Sequence, residues 1–336
     1  MKQRLIGLSL GLTLSAFAPA LAGDAKWYAD YDEAAKVAKE QDKDMLVDFT
    51  GSDWCHWCKK LDEEVFSHES WQKGVADDYI LVALDFPNDP ELKAAVPNPE
   101  RNKELVGEFG VGGYPTILLM NADGEVYART GYQPGGPEAY LKHMKEIGDE
   151  GRVALVESKA VMAEFDGAMT PEESWKAYDR VMGVLEGLTA GSPFIGTLRP
   201  AAIWGFDNDA ENAKGAQFRS AFTLVKLGAA EKAHFSFIEE ADPKNEKGAL
   251  EYLVEARFGE VRDEATARLA LEFLGKVNGF GFQNKELGFG LNMQAVMWCK
   301  GPLADNELAM VHAKAAKAIG SDDEAAMKEL EKILAG

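Results

Sequence analysis

The sequence predicts an α/β domain, a central mixed sheet flanked by helices, followed by an all-α helical domain. Three observations carry this prediction. Short apolar runs alternate with amphipathic stretches over residues 23–149, a pattern that implies parallel strand pairing. A turn signal, Asn121-Ala122-Asp123-Gly124, then adds a hairpin and with it antiparallel pairing. From about residue 150 onward apolar residues recur at helical spacing instead.

Taken in order, residues 27–43 set Trp27, Tyr31, Ala34, Val37 and Ala38 among charges, an amphipathic helix entering a strand at Met45–Phe49. Leu61, Val65 and Phe66 continue a helical face as far as Ser67-His68. Ile80-Leu81-Val82-Ala83-Leu84 is a buried-strand run. Four prolines between Pro87 and Glu100 make that segment mostly loop, with one helical turn around Leu92. A short helix through Leu105, Val106 and Phe109 precedes Gly112-Gly113-Tyr114-Pro115 and a strand from Thr116 to Met120. Glu125–Thr130 is the return strand of the hairpin, and Pro137–Ile147 a closing helix.

In the second half, Thr170-Pro171-Glu172-Glu173 is a capping box with proline at the first helical position. Residues 189–210 read as irregular, and helical stretches follow around Phe222, Leu253 and Phe273. Asp242-Pro243-Lys244-Asn245 resembles the turn of tetratricopeptide-type repeats, but no period is sustained over three units. Ser321-Asp322-Asp323-Glu324 caps the last helix.

A length of 336 residues suits two domains. The balance is acidic, 56 Asp plus Glu against 36 Lys plus Arg, which disfavours nucleic-acid and anionic-membrane partners. Met1-Lys2-Gln3-Arg4, the apolar run Leu5–Ala18 and the A-x-A pattern Ala20-Leu21-Ala22 read as a signal peptide, residues 1–22, cut near Ala22. The mature chain is then periplasmic or secreted, and no later stretch is apolar enough to insert in a membrane.

Three cysteines are present: Cys55, Cys58 and Cys299. Cys55 and Cys58 follow an apolar strand and open a helix, where unpaired backbone N–H groups favour a thiolate. One close pair in an oxidising compartment suggests a working dithiol, with Cys55 the exposed nucleophile and Cys58 the resolving thiol. The competing readings are a permanent disulfide that staples a helical partner-binding protein, and metal handling through both cysteines and a His. Zinc would need two more ligands, and only His56 and His68 are near in sequence. Haem attachment would need a His where Lys59 stands. Neither metal nor cofactor is therefore expected, and Cys299 is expected to be buried and unreactive.

Asp48 ends an apolar strand, where burial would raise its pKa and fit it to accept or relay a proton for Cys58. A cationic His56 beside Cys55 would favour the thiolate. Trp54 and Trp57 are expected to form an apolar rim around the sulfurs.

A strand ending in Asp48, then Trp54-Cys55-His56-Trp57-Cys58-Lys59, then Gly113-Tyr114-Pro115-Thr116 before a hairpin, resembles the thioredoxin superfamily. The wording around the cysteines is similar to exported thioredoxin-like proteins and to the C-terminal domain of the bacterial thiol–disulfide interchange protein. The resemblance covers residues 23–149, leaving 150–336 as a helical domain expected to bind substrate or partner. It implies a thioredoxin fold, a redox-active Cys55–Cys58 disulfide and protein thiol–disulfide oxidoreductase activity. Pro115 then matches the family's cis-proline, and Tyr114 would offer its backbone to an extended substrate. Asp48 matches the family's buried proton acceptor, with one more residue between it and Cys55 than thioredoxin has. His56-Trp57 replaces thioredoxin's Gly-Pro, so redox tuning falls to these two residues together with Trp54 and Asp48. Expected partners are exported protein disulfides or thiols and a redox partner protein. The direction of electron flow stays open.

Overall fold

The computed structural model describes residues 26–335, so the predicted signal peptide lies outside the described residues. Two compact units are present: one runs through Val126 and resumes over Thr130–Ile147, and the other comprises Tyr127–Arg129 and Gly148 onward.

A mixed five-stranded sheet has the order β1-β3-β2-β4-β5. Its strands are β1 (Trp27–Tyr28), β2 (Asp44–Thr50), β3 (Tyr79–Asp85), β4 (Thr116–Met120) and β5 (Val126–Thr130). β1 and β2 pair parallel to β3, and β2 pairs antiparallel with β4, setting Asp48 opposite Ala83 on one side and Ile117 on the other. The tight turn is closed by the Gly124 amide donating to the Asn121 carbonyl at 2.9 Å, with Gly124 at φ 82°.

Side chains alternate along β2. Met45, Val47 and Phe49 enter a core with Ala34 and Ala38 of α1 (Tyr31–Gln41) and Leu105 of the helix Pro99–Glu108. Leu46 and Asp48 therefore face the other way, and Asp48 lines a cleft with Cys58 and Phe66. Strand alternation alone thus aims the carboxylate at the dithiol.

Three local features differ from the sequence reading. Trp27 and Tyr28 form a strand rather than the start of a helix; two residues are too few to show period-two alternation. Glu69–Val75 is helical, burying Trp71 and Val75. The helix after the cysteines changes winding, passing from α2 (His56–Leu61) into a π turn over Asp62–Phe66, marked by Ser67 N–H donating to the Asp62 carbonyl at 2.9 Å.

The helix expected to close at Ile147 instead runs unbroken over Gly136–Asp166. It contains no interior proline, and Gly151 has its reason within the second unit. A Cβ there would sit 2.0 Å from the Tyr127 carbonyl oxygen, so only glycine permits the close approach.

The rest of the second unit is a succession of helices from Pro171–Glu186, with the expected Thr170–Glu173 capping box, to Glu324–Ala335, capped by Asp323. Ile195–Asn208, read as irregular, is a helix that carries Pro200 within it. Proline removes one i→i−4 donor, and that interruption is what the sequence displays.

Two of the connecting loops repeat one another. Asp209 accepts the amides of Lys214 and Ala216, at 3.1 and 2.8 Å. Asp242 accepts those of Lys247 and Ala249, at 3.1 and 3.0 Å. Asn212 and Asn245 both take positive φ, followed by Gly215 and Gly248 at φ 74° and 73°. The Asp-x-x-Asn-x-x-Gly-Ala pattern is therefore one structural solution used twice, and it gives Asp209 a capping role.

Candidate active site

β2 delivers the chain to Gly51–Trp54, and Cys55 then caps α2. The Cys58 amide donates to the Cys55 sulfur at 3.1 Å, and the two cysteines form a disulfide with Cα atoms 5.3 Å apart. Their accessibility corrects the expectation of an exposed nucleophile: in the disulfide form Cys55 is 4% exposed and Cys58 5%. What separates them is position. Cys55 stands at the helix start, and Cys58 lines the inner cleft.

That cleft, about 250 Å³, is lined by Asp48, Cys58, Lys59 and Asp62, with Trp27 and Phe66 as apolar wall. Asp48 is 7% exposed and its Oδ1 has no hydrogen-bond partner. Burial pushes its pKa up to about 8, reinforced by the charges of Asp62 and Asp85. The carboxyl can therefore hold or release a proton near neutrality beside Cys58.

The extra residue between Asp48 and Cys55 is accommodated by a pinned turn. Asp85, at the end of β3, accepts the Ser52 amide at 2.9 Å and the Ser52 hydroxyl. Asp53 accepts the amides of Asn88 and Asp89 at 2.9 and 2.7 Å, and these contacts hold its carboxyl below the usual carboxylate range.

Trp54 and Trp57, on either side of Cys55 in the chain, are 45% and 50% exposed. Trp54 donates to the Phe86 carbonyl and meets Tyr114 edge-on at 5.5 Å. Trp57 packs against Tyr132, ring centroids 5.1 Å apart, and the ring of His56 rests edge-on against Trp57 at 5.2 Å. The Tyr114–Pro115 peptide is cis. Cys299 is buried and free, and burial raises its thiol pKa, in keeping with an unreactive side chain.

Sequence reasoning did not find Asp62, Asp85, Phe86 or Tyr132. Asp62 had a usable signal, since it lies one helical turn beyond Cys58. The others reach the site from separate elements.

A thioredoxin-like domain model matches residues 31–147. The disulfide bond reductase DsbH of Chlamydia pneumoniae is 32% identical over 138 residues, a match covering 40% of this chain and 80% of that protein. The chain belongs to the thioredoxin-like thiol–disulfide oxidoreductases. The thiol:disulfide interchange protein DsbD of Yersinia enterocolitica is 31% identical over 116 residues, 34% of this chain but 18% of that longer protein. A solved DsbH oxidoreductase structure is 30% identical, covering 41% of this chain and 94% of that one, with a TM-score of 0.34. Among the described residues no helix is long and apolar enough to cross a membrane.

Proposed function

We propose that this oxidoreductase is exported and reduces disulfides in exported proteins, with Cys55 attacking and Cys58 resolving. The observation that supports the reductive direction best is Asp48, buried in the cleft that Cys58 also lines, with Asp62 facing the same space. The buried Asp48 carboxyl, when ionised, opposes a second negative charge beside it, so it disfavours the thiolate form of Cys58. A dithiol with a less stabilised reduced form is a stronger reductant. The Chlamydia relative, a disulfide bond reductase by name, agrees with this reading.

In the reaction, the Cys55 thiolate, held by the Cys58 N–H, attacks one substrate sulfur and the other leaves as a thiolate. Cys58 then passes its proton toward Asp48 and attacks Cys55. The second substrate thiol is released and the Cys55–Cys58 disulfide forms. Two electrons have moved to the substrate, and a dithiol on a partner protein must restore them. Tyr114 and cis-Pro115 would present backbone to an extended substrate strand. His56 and Trp57 flank the attacking sulfur and adjust its charge and access. The remainder of the chain, about residues 150–336, serves as a helical domain for a substrate or partner.

Glutathione titration of the Cys55–Cys58 pair tests the direction. A potential near thioredoxin's, about −270 mV, supports a reductase. One near about −120 mV, with oxidation of reduced substrates faster than insulin reduction, would overturn it.

A further inference from the structure

Trp57 is half exposed beside the disulfide, yet its indole is held by both Tyr132 and Lys60. Its ring packs on Tyr132, with centroids 5.1 Å apart. The Tyr132 hydroxyl donates to the carboxylate of Glu64 on the π turn. Lys60 pairs with Glu64 at 3.5 Å and places its ammonium 5.5 Å from the Trp57 ring centre and 5.2 Å from that of Tyr132. A cation over both rings and a charged hydrogen bond behind one of them fix the indole without burying it.

The loop that carries Tyr132 also reaches the other side of the site. A Cβ added to Gly131 would lie 3.1 Å from the Pro115 carbonyl oxygen. Tyr132 is thus anchored between the α2 ledge and the cis-proline loop, the two edges along which a substrate chain would lie. An exposed aromatic face fixed in advance binds apolar side chains with little ordering cost.

From this geometry we infer that Tyr132 is a positioning residue, clamped by Glu64, that holds Trp57 as a subsite for an aromatic or large aliphatic side chain next to the substrate cysteine. The inference rests on the reductase reading and names the polypeptide disulfides that site prefers.

Two cystine peptides differing only in Phe or Ser beside each half-cystine provide the test, with the intact reduced protein as reductant. The wild type should favour the Phe peptide about three- to tenfold in kcat/KM, through KM, the size of one aromatic contact. Tyr132→Ala should abolish that preference. Tyr132→Phe and Glu64→Gln, which keep the ring but weaken the clamp, should reduce it. In all three the loss should fall on KM for the Phe peptide and not on its kcat relative to the Ser peptide, a split that a merely structural defect would not give. Equal use of both peptides by the wild type, or a preference that survives in Tyr132→Ala, would overturn the subsite. Should Tyr132→Ala fail to fold, an undiminished preference in the other two variants would do the same. Inertness of the wild type toward both peptides and bis(hydroxyethyl) disulfide would instead defeat the reductase reading on which the subsite rests.

Discussion

The indole N–H of Trp54 donates to the carbonyl of Phe86 at 2.8 Å, although the ring is 45% exposed. An exposed tryptophan is free to choose its rotamer unless something pins it. Here the bond to Phe86 and the edge contact with Tyr114 do so, and Gly51 leaves the room.

Gly51→Ala should break this arrangement. A Cβ at residue 51 would meet the Trp54 ring at 2.5 Å, so the indole must turn and its bond to Phe86 must open. The expected loss is about 1–3 kcal/mol of stability, typical of overpacking, read by urea unfolding of the oxidised protein. The Trp54 Nε1–H resonance should shift in the same variant. An unmoved resonance would show that the ring is not seated on residue 51.

Asp48 makes stability depend on pH in a defined direction. The unfolded chain gives up this proton near 3.8, the ordinary value of an aspartate, and the folded protein at about 8. Between those values the folded state binds more protons, so stability falls as pH rises. At pH 7 the cost is about 4 kcal/mol, at 1.36 kcal/mol per unit. Asp48→Asn should therefore stabilise the oxidised protein by up to that amount at pH 7, and by little at pH 4. The same variant should slow resolution of the mixed disulfide, because Cys58 loses its proton acceptor. Equal stabilisation at both pH values would place the effect outside the carboxyl's ionisation.

Cys58→Ala and Cys55→Ala should behave differently toward insulin. With Cys58 gone, attack by Cys55 still occurs but release does not, so a mixed disulfide accumulates and is visible by intact-protein mass spectrometry. Cys55→Ala leaves a thiol lining the inner cleft, in contact with the Asp48 side of the site, and should trap at least tenfold less. Equal trapping by both variants would reverse or erase the assigned roles.

Much of this site was legible because strand and helix periods project it from a line of residues. Asp48 could be placed under the dithiol from the β2 alternation, and the rim from Trp54 and Trp57 flanking the cysteines. Lys60 and Glu64 stand one helical turn apart, but Tyr132 could not be placed against them, because it arrives on a loop far along the chain. The fold was hidden in the same way where a residue contradicted its element. Pro200 inside a helix made Ile195–Asn208 look irregular, and Gly151 allowed a helix to continue where the sequence suggested a boundary.

The second unit contains a residue whose removal should be costly. Glu251 is fully buried, accepting the Asn284 amide at 2.9 Å, the Asn245 side chain at 2.8 Å and the Gln283 amide. It thereby joins the repeated Asp-x-x-Asn loop to the start of the helix Lys285–Lys300. Glu251→Ala removes the shared acceptor of three donors, and breaking such a buried charged network costs about 3–5 kcal/mol. The midpoint of urea unfolding, followed by far-ultraviolet circular dichroism, should fall accordingly. Glu255→Ala, an exposed change on the same helix, should leave it within about 0.5 kcal/mol. Glu251→Gln should lie between them, since one amide oxygen can still accept while the amide nitrogen faces donors. A loss no greater for Glu251→Ala than for Glu255→Ala would show that water replaces the carboxylate and that the network does not hold this loop.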